Sequence, residues 1–213
     1  MRHFWTYGVL FFLCACSSKR SLRPLGLEES EIHAAVGGPV LIQSDLPVPA
    51  PYLTAGYVYG FSDFVNLEAG LHVTPLFYKV LAFDFGYLVG LSKAQGLIPS
   101  LSFGNRFNIG SDFKHHAFVP QFDLTAAFDL DSEKNNVFYL GPEYIYSWSY
   151  TGTENFFSMF AGYRLLLNEK YTLGLEFKWL LIDRKISDTA VNYWSPFGDR
   201  GRPGIYFNFS RKL

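Results

Sequence analysis

The chain repeats one pattern: short stretches in which large apolar side chains alternate with small or polar ones. In LAFDFGYLVGL (81–91) the odd positions Leu81, Phe83, Phe85, Tyr87, Val89 and Leu91 are large and apolar, while Ala82, Asp84, Gly86, Leu88 and Gly90 between them are mostly small or polar. VNLEAGLHVTP (65–75) sets Val65, Leu67, Ala69, Leu71 and Val73 against Asn66, Glu68, Gly70, His72 and Thr74. AFVPQFDLTAAFDL (117–130) and YTLGLEFKWLL (171–181) alternate in the same way. A period of two is the period of a β-strand, whose successive side chains point to opposite faces. Counting such segments predicts about ten strands. They lie near 29–38, 51–61, 64–75, 80–91, 97–108, 116–130, 136–149, 156–167, 170–182 and 203–213.

The breaks between them sort into two sets. Ser62-Asp63, SKAQG (92–96), DSEKN (131–135) and NEK (168–170) are short; VLIQSDLPVPA (40–50), GSDFKHH (110–116) and RKISDTAVNYWSPFGDRGR (184–202) are longer, the break near residue 78 being the short exception. Alternating short and long connections suit a barrel with short turns at one mouth and loops at the other. Pro75, Pro99, Pro120 and Pro142 fall inside assigned segments. Each lacks a ladder donor, so Pro142 predicts a bulge, or else a shifted register and eight strands.

The faces follow from the charges. Glu68, Asp84, Arg106, Asp123, Glu143, Arg164, Glu176 and Lys178 all fall mid-strand, on the face opposite the large apolar side chains. A soluble sandwich or lipocalin-like barrel would segregate its faces too. Here, however, the apolar face is broad and aromatic on nearly every strand and the other is rich in Gly. A Lys or Arg turned towards mid-bilayer lipid costs roughly 2–4 kcal/mol, so the charged face must be the inner one. The expected fold class is therefore all-β: a single closed antiparallel transmembrane β-barrel of residues 29–213. Aromatic clusters at Phe77-Tyr78, Tyr146/Trp148/Tyr150 and Tyr57/Tyr59/Phe61 fall where interfacial girdles would lie.

Composition adds little to this picture but excludes some classes. The chain has 213 residues, 19% aromatics and a net charge of -1, which argues against a nucleic-acid partner. Beyond residue 20 no apolar run reaches the length of a membrane helix. Mean hydropathy is only +0.08, as an alternating strand averages out.

The start, MRHFWTYGVLFFLCACSSKR, has Arg2, an apolar run from Phe4 to Leu13 and small residues after it, the pattern of a secretory signal. Leu13-Cys14-Ala15-Cys16 resembles the lipobox of bacterial lipoproteins. The resemblance implies a signal peptide over 1–15, lipidation of Cys16, and a lipid-anchored tether over 16–28. Ser17, rather than Asp, after the cysteine is compatible with the outer membrane. The final segment PGIYFNFSRKL resembles the C-terminal recognition strand of outer-membrane barrels, although it ends in Leu213 rather than an aromatic. As a generic class the chain resembles small bacterial outer-membrane β-barrel proteins, which implies an outer-membrane location with periplasmic termini.

Two readings of the inner charges compete. Register counted from the turns puts His72 opposite Asp84, Arg106 diagonal to Asp84, Asp123 opposite Glu143, and Arg164 diagonal to Glu176 and within reach of Glu143. That set could be catalytic, with His72 and Asp84 as the weak candidates. The favoured alternative is a lumen filled by its own side chains, with Arg106, Arg164 and Lys178 answering the carboxylates. Asp112 with His115-His116 is read as a polar loop, and no metal site or cofactor is expected. Trp194, Phe197, Asp199 and Arg200 in the long segment 183–202 are the candidates for contact with an extracellular or surface partner. The expected function is a non-enzymatic structural or surface-interaction barrel, set against a narrow pore or a membrane-embedded hydrolase acting on lipid or peptide.

Overall fold

The structure, a computed structural model, describes residues 17–43, 46–96, 98–149, 152–185 and 200–213. In chain order the strands are β1 (Ser30–Gln43), β2 (Leu46–Pro49), β3 (Tyr52–Ser62), β4 (Val65–His72), β5 (Leu81–Ser92), β6 (Ser100–Ser111), β7 (His116–Asp129), β8 (Asn136–Ser149), β9 (Gly152–Leu166), β10 (Tyr171–Lys185) and β11 (Arg200–Lys212). Neighbours pair antiparallel in sequence order from β3 to β11, and β3 also pairs β1. β1 then pairs β11, from Glu31 opposite Lys212 to Pro39 opposite Gly204, which closes the wall. The result is a closed antiparallel barrel of ten strands. Short β2 is the exception: it pairs the far end of β1 as a hairpin, in the stretch expected to be plain loop.

Burial is inverted relative to a soluble core. On β5, Leu81, Phe83, Phe85 and Tyr87 are 40%, 39%, 46% and 37% exposed, whereas Ala82 and Asp84 are 2% and 1% exposed. Rings on the outer wall meet across strands, with Phe85–Phe107 centroids 5.3 Å and Phe107–Phe118 centroids 5.8 Å apart. Phe77 and Tyr78 stand out at one mouth and Phe61 and Phe64 at the other. An apolar, aromatic band around a closed, charged interior has hydrocarbon as its matching solvent, so the strands span a membrane.

The prolines are accommodated without changing the strand count. Pro75 lies in a one-turn helix, α1 (Val73–Leu76), where an expected strand end gives way to a turn that uses the proline carbonyl as acceptor for the Tyr78 and Val80 amides. Pro99 precedes β6, and Pro120 faces Phe107 within an unbroken register. Pro142 makes no bulge. It sits opposite Met159 in an unbroken β8–β9 ladder, and on the β7 side the pairing skips from Asp123/Glu143 to Ala126/Leu140 in one register. Gly141 lets this happen, because the Leu124 carbonyl occupies the space that a Cβ there would need. A true irregularity lies in β10, between Leu180 and Lys185, where Leu181 takes φ 54° and both Leu180 and Leu181 turn inward. They join Val119, Ile145 and Phe156 in an apolar cluster inside the wall.

Candidate functional site

The lumen is occupied by the chain's own start. Residues 17–28, which by sequence would be a tether between lipid and barrel, turn back from β1 and run up the inside of the wall. Their entry is pinned at the short-turn mouth: Glu28 donates its amide to the Gly60 carbonyl (2.9 Å), and Gly60 donates to Glu29 (2.8 Å). Further in, the Leu25 amide donates to Asn66 Oδ1 (2.8 Å), and Arg23 reaches Ser100 Oγ (2.6 Å) and Asp129 Oδ1 (2.6 Å). Leu22 packs with Ala127, Tyr139 and Phe160, and its carbonyl accepts from Ser102 Oγ (3.0 Å). Ser17 to Ser21 are all buried.

The physical reason is charge. Arg20 clamps Asp84 with both terminal nitrogens, one at 2.6 Å, in a space cleared by Gly56 and Gly70, whose absent side chains would collide with the guanidinium. Lys19 pairs with Asp123 through Nζ, while its amide donates to Glu176 Oε2 (3.1 Å). The wall grips the segment in return. Arg164 Nη2 donates to the Lys19 and Arg20 carbonyls (2.6 and 2.5 Å), and Arg106 Nη1 donates to Ser17 Oγ (2.7 Å). Carboxylates buried in a narrow interior need cationic partners, and removing one partner of such a pair is strongly destabilising.

Each residue singled out by sequence has a definite place. Glu68, Asp84, Arg106, Asp123, Glu143, Glu176 and Lys178 are buried on the lumen side, and Arg164 is part-buried there against Tyr139. Asp84 stands opposite Gly70, not opposite His72 as counting from the turn expects, because the chain between β4 and β5 is taken up by the turn of α1. His72 is diagonal to it, yet its Nε2 lies 2.9 Å from Asp84 Oδ2 and its Nδ1 is 2.7 Å from the Tyr52 hydroxyl. Asp84 also faces Arg106 Nε at 3.8 Å, so its carboxylate is shared among Arg20, His72 and Arg106. Asp123 does sit opposite Glu143, but they do not form an acid pair: Asp123 is held by Lys19 and Glu143 by Lys178 (2.7 Å) and Gln121. Arg164 is diagonal to Glu176 but turns to the segment's carbonyls, not towards Glu143. Ser100 and Ser102 bond the Ala127 and Leu22 carbonyls. The His72–Asp84 pair thus lies within a packed ion network, buried and flanked by Arg20 and Arg106.

Outside the wall, Asp112 accepts amides from Lys114 (3.0 Å) and His115 (2.6 Å) in the β6–β7 turn. Burial is the largest single influence and works against its ionised form, but these donors and the His115 ring together outweigh it and hold its carboxyl at about 2. His116 begins β7. Trp194, Phe197 and Asp199 lie outside the described residues. Arg200 opens β11, its carbonyl 3.4 Å from Trp179 Nε1.

The segment's role could have been suspected from a count. The eight lumen charges named from sequence are five carboxylates against three cations, and Asp129 makes a sixth carboxylate. The deficit is three, and Lys19, Arg20 and Arg23 are three.

No protein-family model matches the chain, and no curated protein matches it. Several solved structures are similar in fold. An outer-membrane channel from Pseudomonas putida F1 is 7% identical, covering 92% of this chain and 100% of that one, with a TM-score of 0.48. OprG, an outer-membrane protein of Pseudomonas aeruginosa, is 11% identical over 91% of this chain and 99% of its own, with a TM-score of 0.39. The N-terminal β-barrel domain of Pseudomonas aeruginosa OprF is 10% identical over 89% and 100%, with a TM-score of 0.35.

Proposed function

We propose that the protein is a bacterial outer-membrane β-barrel held closed by its own N-terminal segment, with a structural or surface-interaction role and no enzymatic one. The observation that carries this reading is the insertion of Ser17–Leu25 into the lumen, where its three cations meet wall carboxylates. A constitutively open pore would not have its lumen filled in this way, and the His72–Asp84 pair is buried and shared with Arg20 and Arg106. The test is planar-bilayer recording of the mature chain at low voltage. A closed barrel gives no unitary steps, and steady steps in the unmodified chain would sink the reading.

Two finer parts rest on the sequence. Acylation of Cys16 predicts an intact mass raised by a diacylglyceryl group and lost in Cys16→Ser. Contact with an external partner through segment 183–202 predicts that Trp194→Ala with Phe197→Ala abolishes adhesion to a surface that the parent cells bind, at unchanged barrel abundance.

A further inference from the structure

We propose that the lumen behind the N-terminal segment is a latent path for small inorganic cations, and that Lys19, Arg20 and Arg23 are resident stand-ins for the ions it would pass. This goes beyond the closed-barrel reading, which concerns the resting state.

The wall is complete without the segment. β1 pairs directly with β11 and β3, and residues 17–25 add no strand to the sheet. The segment touches the wall through side chains and their bonds to backbone, apart from the Glu28/Glu29 hinge at Gly60. Contacts of this kind can be released without unzipping a ladder.

The charge left behind is one-sided. Among the described residues facing the segment, six wall carboxylates stand against Arg106, Arg164 and Lys178. Withdrawing three cations leaves 3 − 6 = −3 along the interior. Glu31 lines the space beside residues 20–25 and deepens that negative charge, while Arg202 near the other end adds one positive charge. Carboxylates lining a narrow aqueous passage favour cations over anions.

There is also space at the point of exit. A cavity of about 610 Å³ opens at the short-turn mouth beside Arg23 and Pro24, bounded by Phe64, Gly90 and Ser100. Gly56 and Gly70 keep the lumen wall bare where the Arg20 guanidinium now lies, so its departure empties that stretch of the lumen, and passing ions would then skirt the apolar cluster of Val119, Ile145, Phe156, Leu180 and Leu181.

The experiment compares the full mature chain with the variant Lys19→Glu/Arg20→Glu/Arg23→Glu in a planar bilayer under a KCl gradient. Folding of each is checked by heat-modifiable gel migration. Like charges expel the variant segment, so the folded variant shows unitary steps that the parent lacks at low voltage, with K+ favoured over Cl− by about tenfold or more. A folded variant that stays closed overturns the proposal, as do steps with no cation preference. If the variant fails to fold, the parent decides the matter under high voltage. A field positive at the long-loop mouth drives the three cationic side chains out and opens it at that polarity alone, whereas silence or symmetric opening overturns the proposal. Low-voltage steps in the parent would count against the closed-barrel reading, and their ion preference would still judge this one.

Discussion

Each strand carries two faces that differ in what holds them. On β5, Phe83 and Phe85 face outward against other rings, while Asp84 between them faces inward against Arg20, His72 and Arg106. The outer face needs an apolar side chain of roughly the right size and is indifferent to which one, because acyl chains are fluid and fill gaps. The inner face needs particular partners, because a buried charge is stable when its counter-charge is present and badly unstable when it is not. One strand therefore has a permissive side and an exacting side, a single residue apart.

The largest expected effect breaks the inner face. Lys178→Met strands Glu143 beside Glu176 and should cost about 3–5 kcal/mol in urea unfolding from lipid vesicles. Adding Glu143→Leu should recover much of that loss, and a double mutant no better than the single would refute a pairwise account. Next, on the outer face, Phe85→Arg should cost roughly 2–4 kcal/mol by the same measurement, against less than about 1.5 kcal/mol for Phe85→Leu. Equal losses for the two would mean that the ring is locked in place like an inner residue. Gly70→Ala tests the seam between wall and segment. Its methyl group would collide with the Arg20 guanidinium, for an expected loss of about 1–3 kcal/mol. Substituting Arg20→Ala in that background should make the glycine change nearly silent.

The smallest effect is a pH response at a loop. Asp112 is held at about 2 against its ordinary 3.8, so its ionised, amide-capping form is favoured in the folded state. The contribution is fully present above 3.8 and is lost as pH falls towards about 2. The Lys114 and His115 amide resonances should therefore titrate with a midpoint near 2; a midpoint near 3.8 would show the cap to be absent.

What could be read from the chain and what could not divide along the same line. A period of two is a local signal, so the alternation in 81–91 assigned both faces of β5, and counting from turns placed Asp123 opposite Glu143. The extra strand Leu46–Pro49 lies in a Pro-containing connection with no period, whereas the helix at Val73–Leu76 begins inside the alternating segment 65–75, whose period runs past the point where Pro75 ends the ladder. Pro142 misled for a different reason. Its missing donor is tolerated through Gly141 and a local gap in one ladder, a tertiary accommodation that no residue-by-residue rule contains. The lumen occupant was hardest to see. Residues 17–28 have no regular structure, and what places them is a charge deficit whose six carboxylates are spread over five strands distant in sequence.

The depth of Ser17 has a mechanical consequence. It rests against Arg106, well inside the wall, and the cysteine proposed to carry the membrane anchor is its immediate predecessor in the chain. Acyl chains cannot settle among ionised side chains, so an acyl group on Cys16, if it is carried, would haul the segment towards the bilayer while Asp84 and Asp123 hold it in place. Anchor and stopper would then share one short rope, and whatever tightened the first would slacken the second.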